Sequence, residues 1–261
     1  MRTVLTFVAM VIVTPVFATV VIVAGLLGLP NRPNGLFDRA PRLWARIALR
    51  LAGVRLVLHD TERLSPFMPR VFVSNHVSWY DIFTLMAILP RYRFVAKAEL
   101  FRIPLFGPAA RRAGTIPIQR ENRKAAFQSY EEAAREIRGG ASVVVCPEGT
   151  RGESYALRPF KKGPFVLAIA AGAPIVPLIV FGTREVQPKG SFVIRSGTVH
   201  VHFLEEIPTT GLHYDDRDRL ADECWRRMAD AMEREHGVVS SSTPARRERG
   251  RRSGAPTLVE S

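Results

Sequence analysis

Apolar residues run from Thr3 to Leu29 without one charge, and only after that does the pattern become periodic. Val4–Leu29 is long enough to cross about 30 Å of hydrocarbon as a helix. Three readings are open. A cleaved leader would end near small residues such as Ala18, yet the apolar run continues past them. A spanning anchor is the second reading. A helix bent at Pro15 and lying in one leaflet is the third, because a mid-helix proline favours a kink.

Downstream, Leu36, Leu43, Trp44, Ile47, Ala48 and Leu51 recur near helical spacing, so Asn34–Leu51 reads as an amphipathic helix. It suits either a membrane interface or a helix packed on the domain. Val54–His59 alternates as a strand does, and Val71–Ser74 suits a buried strand. Helices are expected at Trp79–Leu89, Leu105–Arg112, Asn122–Arg138, Pro164–Ala171 and Asp215–His236. Further strands are expected at Tyr92–Ala96, Thr115–Ile118, Ser142–Cys146, Pro174–Phe181 and Val199–Phe203. Strands and helices alternate, which predicts an α/β fold. Its central sheet is mixed and mainly parallel, flanked by helices, with an N-terminal membrane-associated helical segment. The organisation expected is an anchor over 1–33, a catalytic domain over 34–237 and a basic disordered tail over 238–261.

Charge narrows the partners. The formal net charge is +13, from 37 Lys+Arg against 24 Asp+Glu. That balance calls for an anionic partner: a membrane surface, a phosphate-bearing substrate or nucleic acid. A long apolar N-terminus and the lack of a basic–aromatic motif speak against nucleic acid. Arg32, Arg39, Arg42, Arg46 and Arg50 follow the apolar run, against Arg2 alone before it, which places the bulk of the protein on the cytoplasmic side of an inner membrane. Cys146 and Cys224 are far apart, and no Cys/His cluster has zinc spacing, so no metal is expected.

Four blocks carry candidate chemistry. In Asn75-His76-Val77-Ser78-Trp79-Tyr80-Asp81, His76 leaves the C-terminal end of a strand. Five residues of straight helix turn about 500°, so His76 and Asp81 meet only if His76 precedes the helix and Asp81 lies in its first turn. Ser78 and Asp81 can equally be an ordinary capping pair. A neutral histidine held by a carboxylate takes a proton from a hydroxyl. With no serine-nucleophile elbow in the chain, that hydroxyl belongs to the substrate. The second block is Gly114–Arg120, in a stretch that carries nine Lys/Arg and two Glu between Arg91 and Lys124. Arginine there suits a phosphate. The third is Cys146-Pro147-Glu148-Gly149-Thr150-Arg151, a turn after a strand whose glycine lets backbone N–H groups approach an anion. The fourth, Ala173–Leu178, is either core or an acyl slot.

In this order the four blocks resemble the glycerolipid acyltransferase family, specifically the bacterial type of 1-acyl-sn-glycerol-3-phosphate acyltransferases, over roughly Val54 to Phe203. The resemblance implies that His76 is the general base and Asp81 its orienting acid. It implies substrate contacts from Asn75, Lys97, Gly114, Arg120, Glu148, Gly149, Thr150 and Arg151, and acyl-chain contacts from Ile175, Val176 and Pro177. The implied reaction moves an acyl group from acyl-CoA or acyl-ACP, as co-substrate, onto a membrane lipid acceptor, forming phosphatidic acid with no tightly held cofactor. Cys146 and Pro117 depart from the family's usual residues; Cys146 is expected to be a buried strand-end thiol, and the strand at Pro117 to start late.

Overall fold

The computed structural model of the protein describes residues 2–32, 34–64, 68–119 and 123–241. Most of the expected 238–261 tail therefore lies outside the described residues.

Seven strands form one sheet: β1 (Val54–His59), β2 (Val71–Ser74), β3 (Tyr92–Lys97), β4 (Ile116–Ile118), β5 (Ser142–Val145), β6 (Ile175–Phe181) and β7 (Gly197–Phe203). Their order is β1-β7-β6-β2-β5-β3-β4. Every pairing is parallel except β6 with β7. The mixed, mainly parallel sheet expected from the alternation is present. Strands β2 and β5 are buried at every position and β6 at all but its last. Helices cover both faces, so these sequences read as unbroken apolar runs rather than alternations. β4 lies at the edge and includes Pro117, whose missing N–H costs least there.

Helices α5 (Arg123–Arg138), α6 (Gly163–Ala171) and α8 (Arg217–His236) cover one face of the sheet, and the short α7 (Thr183–Val186) follows β6. Helices α2 (Leu36–Ala52) and α3 (Trp79–Ile88) cover the other. Helix α2 packs Ala45, Leu49 and Ala52 into that second core. Two of its arginines face α3: Arg42 donates to Leu89 O at 3.0 Å and Arg46 to Ala87 O at 3.3 Å. They satisfy carbonyls that the end of a helix leaves open. So α2 is a packed helix, and Arg42 and Arg46 are structural. On β3, Arg93 forms a buried pair with Asp38 of α2 at 2.9 Å.

Helix α1 (Arg2–Leu26) runs unbroken through Pro15. Its Thr6, Ala18, Val21 and Ala24 are buried, while Val4, Leu5, Val8, Val11, Ile12 and Val16 stand exposed. Its length and composition suffice to cross a membrane. It also touches the domain along its whole length. Arg2 donates to Ala52 O at 3.0 Å, Trp44 to the Thr14 hydroxyl at 3.0 Å, and Gly25 lies against Arg112 of α4 (Phe106–Arg112).

Candidate active site

The chain leaves β2 at Ser74, and Asn75 fixes the exit. Its buried amide donates to Val180 O at 2.9 Å and accepts from Val180 N at 2.8 Å. Two bonds to β6 tie the side chain of Asn75, an expected substrate contact, to the sheet and position the loop. The next residue, His76, projects at the C-terminal edge of β2.

Ser78 is extended and caps α3, its hydroxyl accepting from Tyr80 N at 3.1 Å and donating to Gln187 O at 2.7 Å. Asp81 at the third helical position closes the capping box. Its Oδ2 accepts from Ser78 N at 2.8 Å, from Val77 N at 2.7 Å and from His76 Nδ1 at 2.8 Å. Its Oδ1 accepts from the Thr183 hydroxyl at 2.5 Å. The cap and the His–Asp pair are therefore one structure. Because Asp81 only accepts, Nδ1 carries the ring proton and Nε2 presents a bare lone pair. Asp81 is fully buried, whereas the His76 side chain keeps 15% of its surface exposed. The dyad thus joins a partly exposed imidazole to a fully buried carboxylate.

Glu148 holds the other side of His76. Its Oε1 accepts from His76 N at 3.0 Å and its Oε2 from Arg158 Nε at 3.0 Å. Burial pushes the Glu148 carboxyl above its usual range, opposed by Arg158 and by the His76 N–H. Glu148, an expected substrate contact, is buried and holds the backbone of His76 through these partners. Arg158 also donates to the Thr150 hydroxyl at 3.1 Å and to Thr150 O, which pins the turn after β5. Gly149 takes φ +81°, and a Cβ there would lie 2.7 Å from the Lys161 Cε. Arg151 stacks over the half-exposed Trp79 ring at 4.9 Å. Arg151, Arg158 and Lys161 make this turn basic.

Lys97 ends β3 at the same edge of the sheet and pairs with Glu99 at 3.4 Å, both side chains about half exposed. Gly114 sits elsewhere. It precedes β4 at that strand's opposite end, takes φ +82°, and a Cβ there would meet the Arg93 side chain at 2.3 Å. Gly114, an expected substrate contact, thus makes room for the Arg93–Asp38 pair. Arg120 lies outside the described residues. Ile175, Val176 and Pro177, the expected acyl-chain contacts, are buried inside β6. An apolar cavity lies between α1, α2, α4 and the sheet. It holds about 100 Å³ and is lined by Phe17, Val21, Phe37, Trp44, Phe94 and Phe106 among others. Cys146 is half-buried at a smaller cavity beside Gly149 and Lys161, more open than expected.

Sequence reasoning missed Thr183, Arg158 and Gln187. The available signal was Gly182-Thr183 directly after a buried strand, at the same edge of the sheet as His76.

The acyltransferase family profile matches residues 55–181, which contain the His76 loop, the Glu148 turn and Thr183's strand up to Phe181. A chloroplastic 1-acyl-sn-glycerol-3-phosphate acyltransferase of Brassica napus is 34% identical over 207 residues, covering 76% of this chain and 58% of the relative. The human 1-acyl-sn-glycerol-3-phosphate acyltransferase beta is 38% identical over 178 residues, covering 67% of this chain and 64% of the relative. The chain thus spans less than two thirds of the length of either relative. The fold is similar to the crystal structure of the 1-acyl-sn-glycerophosphate acyltransferase PlsC from Thermotoga maritima, with a TM-score of 0.76 and 20% identity over 92% of this chain and 97% of that one. By the matched region, which holds the His76–Asp81 dyad, the chain belongs to the acyltransferase family.

Proposed function

We propose that this protein transfers an acyl group from an acyl thioester to the sn-2 hydroxyl of 1-acyl-sn-glycerol-3-phosphate, giving phosphatidic acid. The observation that carries the reading is the His76 Nδ1–Asp81 Oδ2 bond at 2.8 Å, in a partly exposed histidine beside a basic turn. The names of the relatives support the substrate.

Nε2 of His76 takes the proton of the acceptor hydroxyl as its oxygen attacks the thioester carbonyl. Asp81 stabilises the imidazolium that forms. The tetrahedral intermediate collapses, the C–S bond breaks, and the thiol leaves with the proton from Nε2. N–H donors aimed at the oxyanion contribute about 3–4 kcal/mol each where well placed. Arg151 and Lys161 receive the acceptor's phosphate, and Lys97 completes its surroundings. The apolar cavity takes an acyl chain at about 0.8 kcal/mol per buried CH₂. The donor is acyl-CoA or acyl-ACP, and no metal or tightly held cofactor enters the reaction.

Residues 1–33 form the membrane anchor and 34–237 the catalytic domain, at the cytoplasmic face of the inner membrane. The end-to-end docking of α1 favours a helix lying in one leaflet, with anionic lipid drawn to the chain's net positive charge. In sealed inverted vesicles, single cysteines placed at Val4 and Leu29 should both react with an impermeant thiol reagent; protection of the Val4 position would show a spanning helix.

The direct test of the reaction is phosphatidate formation by purified protein supplied with acyl-CoA or acyl-ACP and a panel of lysolipids. Transfer to 1-acyl-sn-glycerol-3-phosphate, lost in His76→Ala, is the expected result. Transfer only to other acceptors, or activity kept by His76→Ala, would overturn the proposal.

A further inference from the structure

Four of the chain's six histidines meet in one place, leaving His76 for the dyad and His213 apart from both. His200 and His202 alternate on β7 and so share a face. His59 of β1 pairs in register with His202. His236 arrives from the last turn of α8. The cluster is separate from the dyad: β6 lies between β7 and β2, a displacement of roughly 10 Å across the sheet.

The nitrogens approach closely. His59 Nε2 and His200 Nδ1 are 3.0 Å apart, and His202 Nε2 and His236 Nε2 are 3.2 Å apart. One nitrogen each from His59, His200 and His202 lie within 4.8 Å of one another. Ligand nitrogens held at about 2.0–2.1 Å around a tetrahedral ion stand about 3.3 Å from each other. We propose that His59, His200 and His202, with His236 as a fourth ligand, form a binding site for a divalent transition-metal ion.

An all-imidazole set selects zinc, copper or nickel over magnesium or calcium. The charges facing the cluster are Arg55 beside His200 and Glu235 beside His202 and His236, so the two signs offset each other. The His59 and His202 rings lie face to face, 4.0 Å apart, so a shared ion requires one of them to turn. His59, on the edge strand, is the one placed to do so. Phe181 stacks on His236 at 3.8 Å and fixes that ring. A bound ion would clamp the edge strand, its neighbour and the end of the C-terminal helix together.

The test uses untagged full-length protein in detergent, titrated with Zn²⁺ by calorimetry and with Co²⁺ by visible absorption. One ion per chain and the strong absorption of tetrahedral Co²⁺ are expected, with Zn²⁺ raising Tm. The His59→Gln/His200→Gln double variant should weaken binding more than about tenfold and abolish the Tm rise. His236→Gln offers a second route should the strand variant fold poorly. His213→Gln and His76→Ala should bind as the parent does. Absence of stoichiometric binding, binding unchanged in both cluster variants, or equal loss in His213→Gln would overturn the site. Because the readout is metal binding, it is decided independently of acyl transfer.

Discussion

Thr183→Val removes one hydroxyl from a buried carboxylate and leaves every other partner in place. The Thr183 Oγ1–Asp81 Oδ1 contact is 2.5 Å, and both side chains are fully buried. A hydrogen bond to a charged acceptor contributes about 1.5–3 kcal/mol, and no water replaces the lost donor in a sealed site. Oδ2 keeps its three donors, so Asp81 stays near His76 but gains freedom to turn. If half of the lost energy reaches the transition state, kcat falls roughly 4- to 12-fold, taking 1.36 kcal/mol per factor of ten. KM for the acceptor should hold, because Thr183 touches only Asp81's end of the dyad. Thr183→Ser keeps the donor and should recover most of the rate. The assay is initial velocity against acceptor concentration, paired with urea unfolding. The reasoning fails if the valine variant loses stability with kcat within twofold of the parent, or if serine rescues nothing.

Asp81→Asn offers His76 Nδ1 a different partner chemistry and should lower kcat by orders of magnitude, about 10⁴ in a comparable dyad, with lipid binding retained in a vesicle-sedimentation assay. For Glu148 the sign follows from its raised folded pKa: the fold binds that proton more readily than the unfolded chain does. Its contribution to stability therefore falls as pH rises from the ordinary carboxylate range into the raised one, and urea unfolding between pH 4 and 6 should show Glu148→Gln losing that descent. Gly182→Ala places a Cβ 2.1 Å from Thr198 O at φ +98°, next to Thr183, so Tm should drop by an amount equivalent to at least about 2 kcal/mol, with a loss of kcat alongside.

Strands β2, β5 and β6 were legible because burial on both faces writes itself as unbroken valine and isoleucine. The antiparallel return of β7 beside β6 was not, since it depends on how the 187–196 segment travels. At the dyad, spacing left a cap and a catalytic pair as rivals, and Asp81 Oδ2 serves both. The partners of Glu148 were not legible in the sequence, because they sit 72 residues before it and 10 after it. The β6 run could be core or acyl slot by the same letters, and an apolar cavity formed where α1, α2 and α4 converge. Four histidines from three distant segments have no sequence spacing to betray them beyond the His200–His202 alternation.

The contacts of α2 with α3 bear on modularity. Helix α3 carries the dyad at its first turn and is gripped at its last by Arg42 and Arg46. A rotation of α2 would therefore swing Asp81 at the far end of a short rigid lever. Helix α2 is therefore part of the catalytic unit and not of a detachable tether. A fragment cut after Gly53 to gain solubility would leave the α3 carbonyls without their arginines, and a chimera exchanging this segment between relatives would need the matching α3 as well.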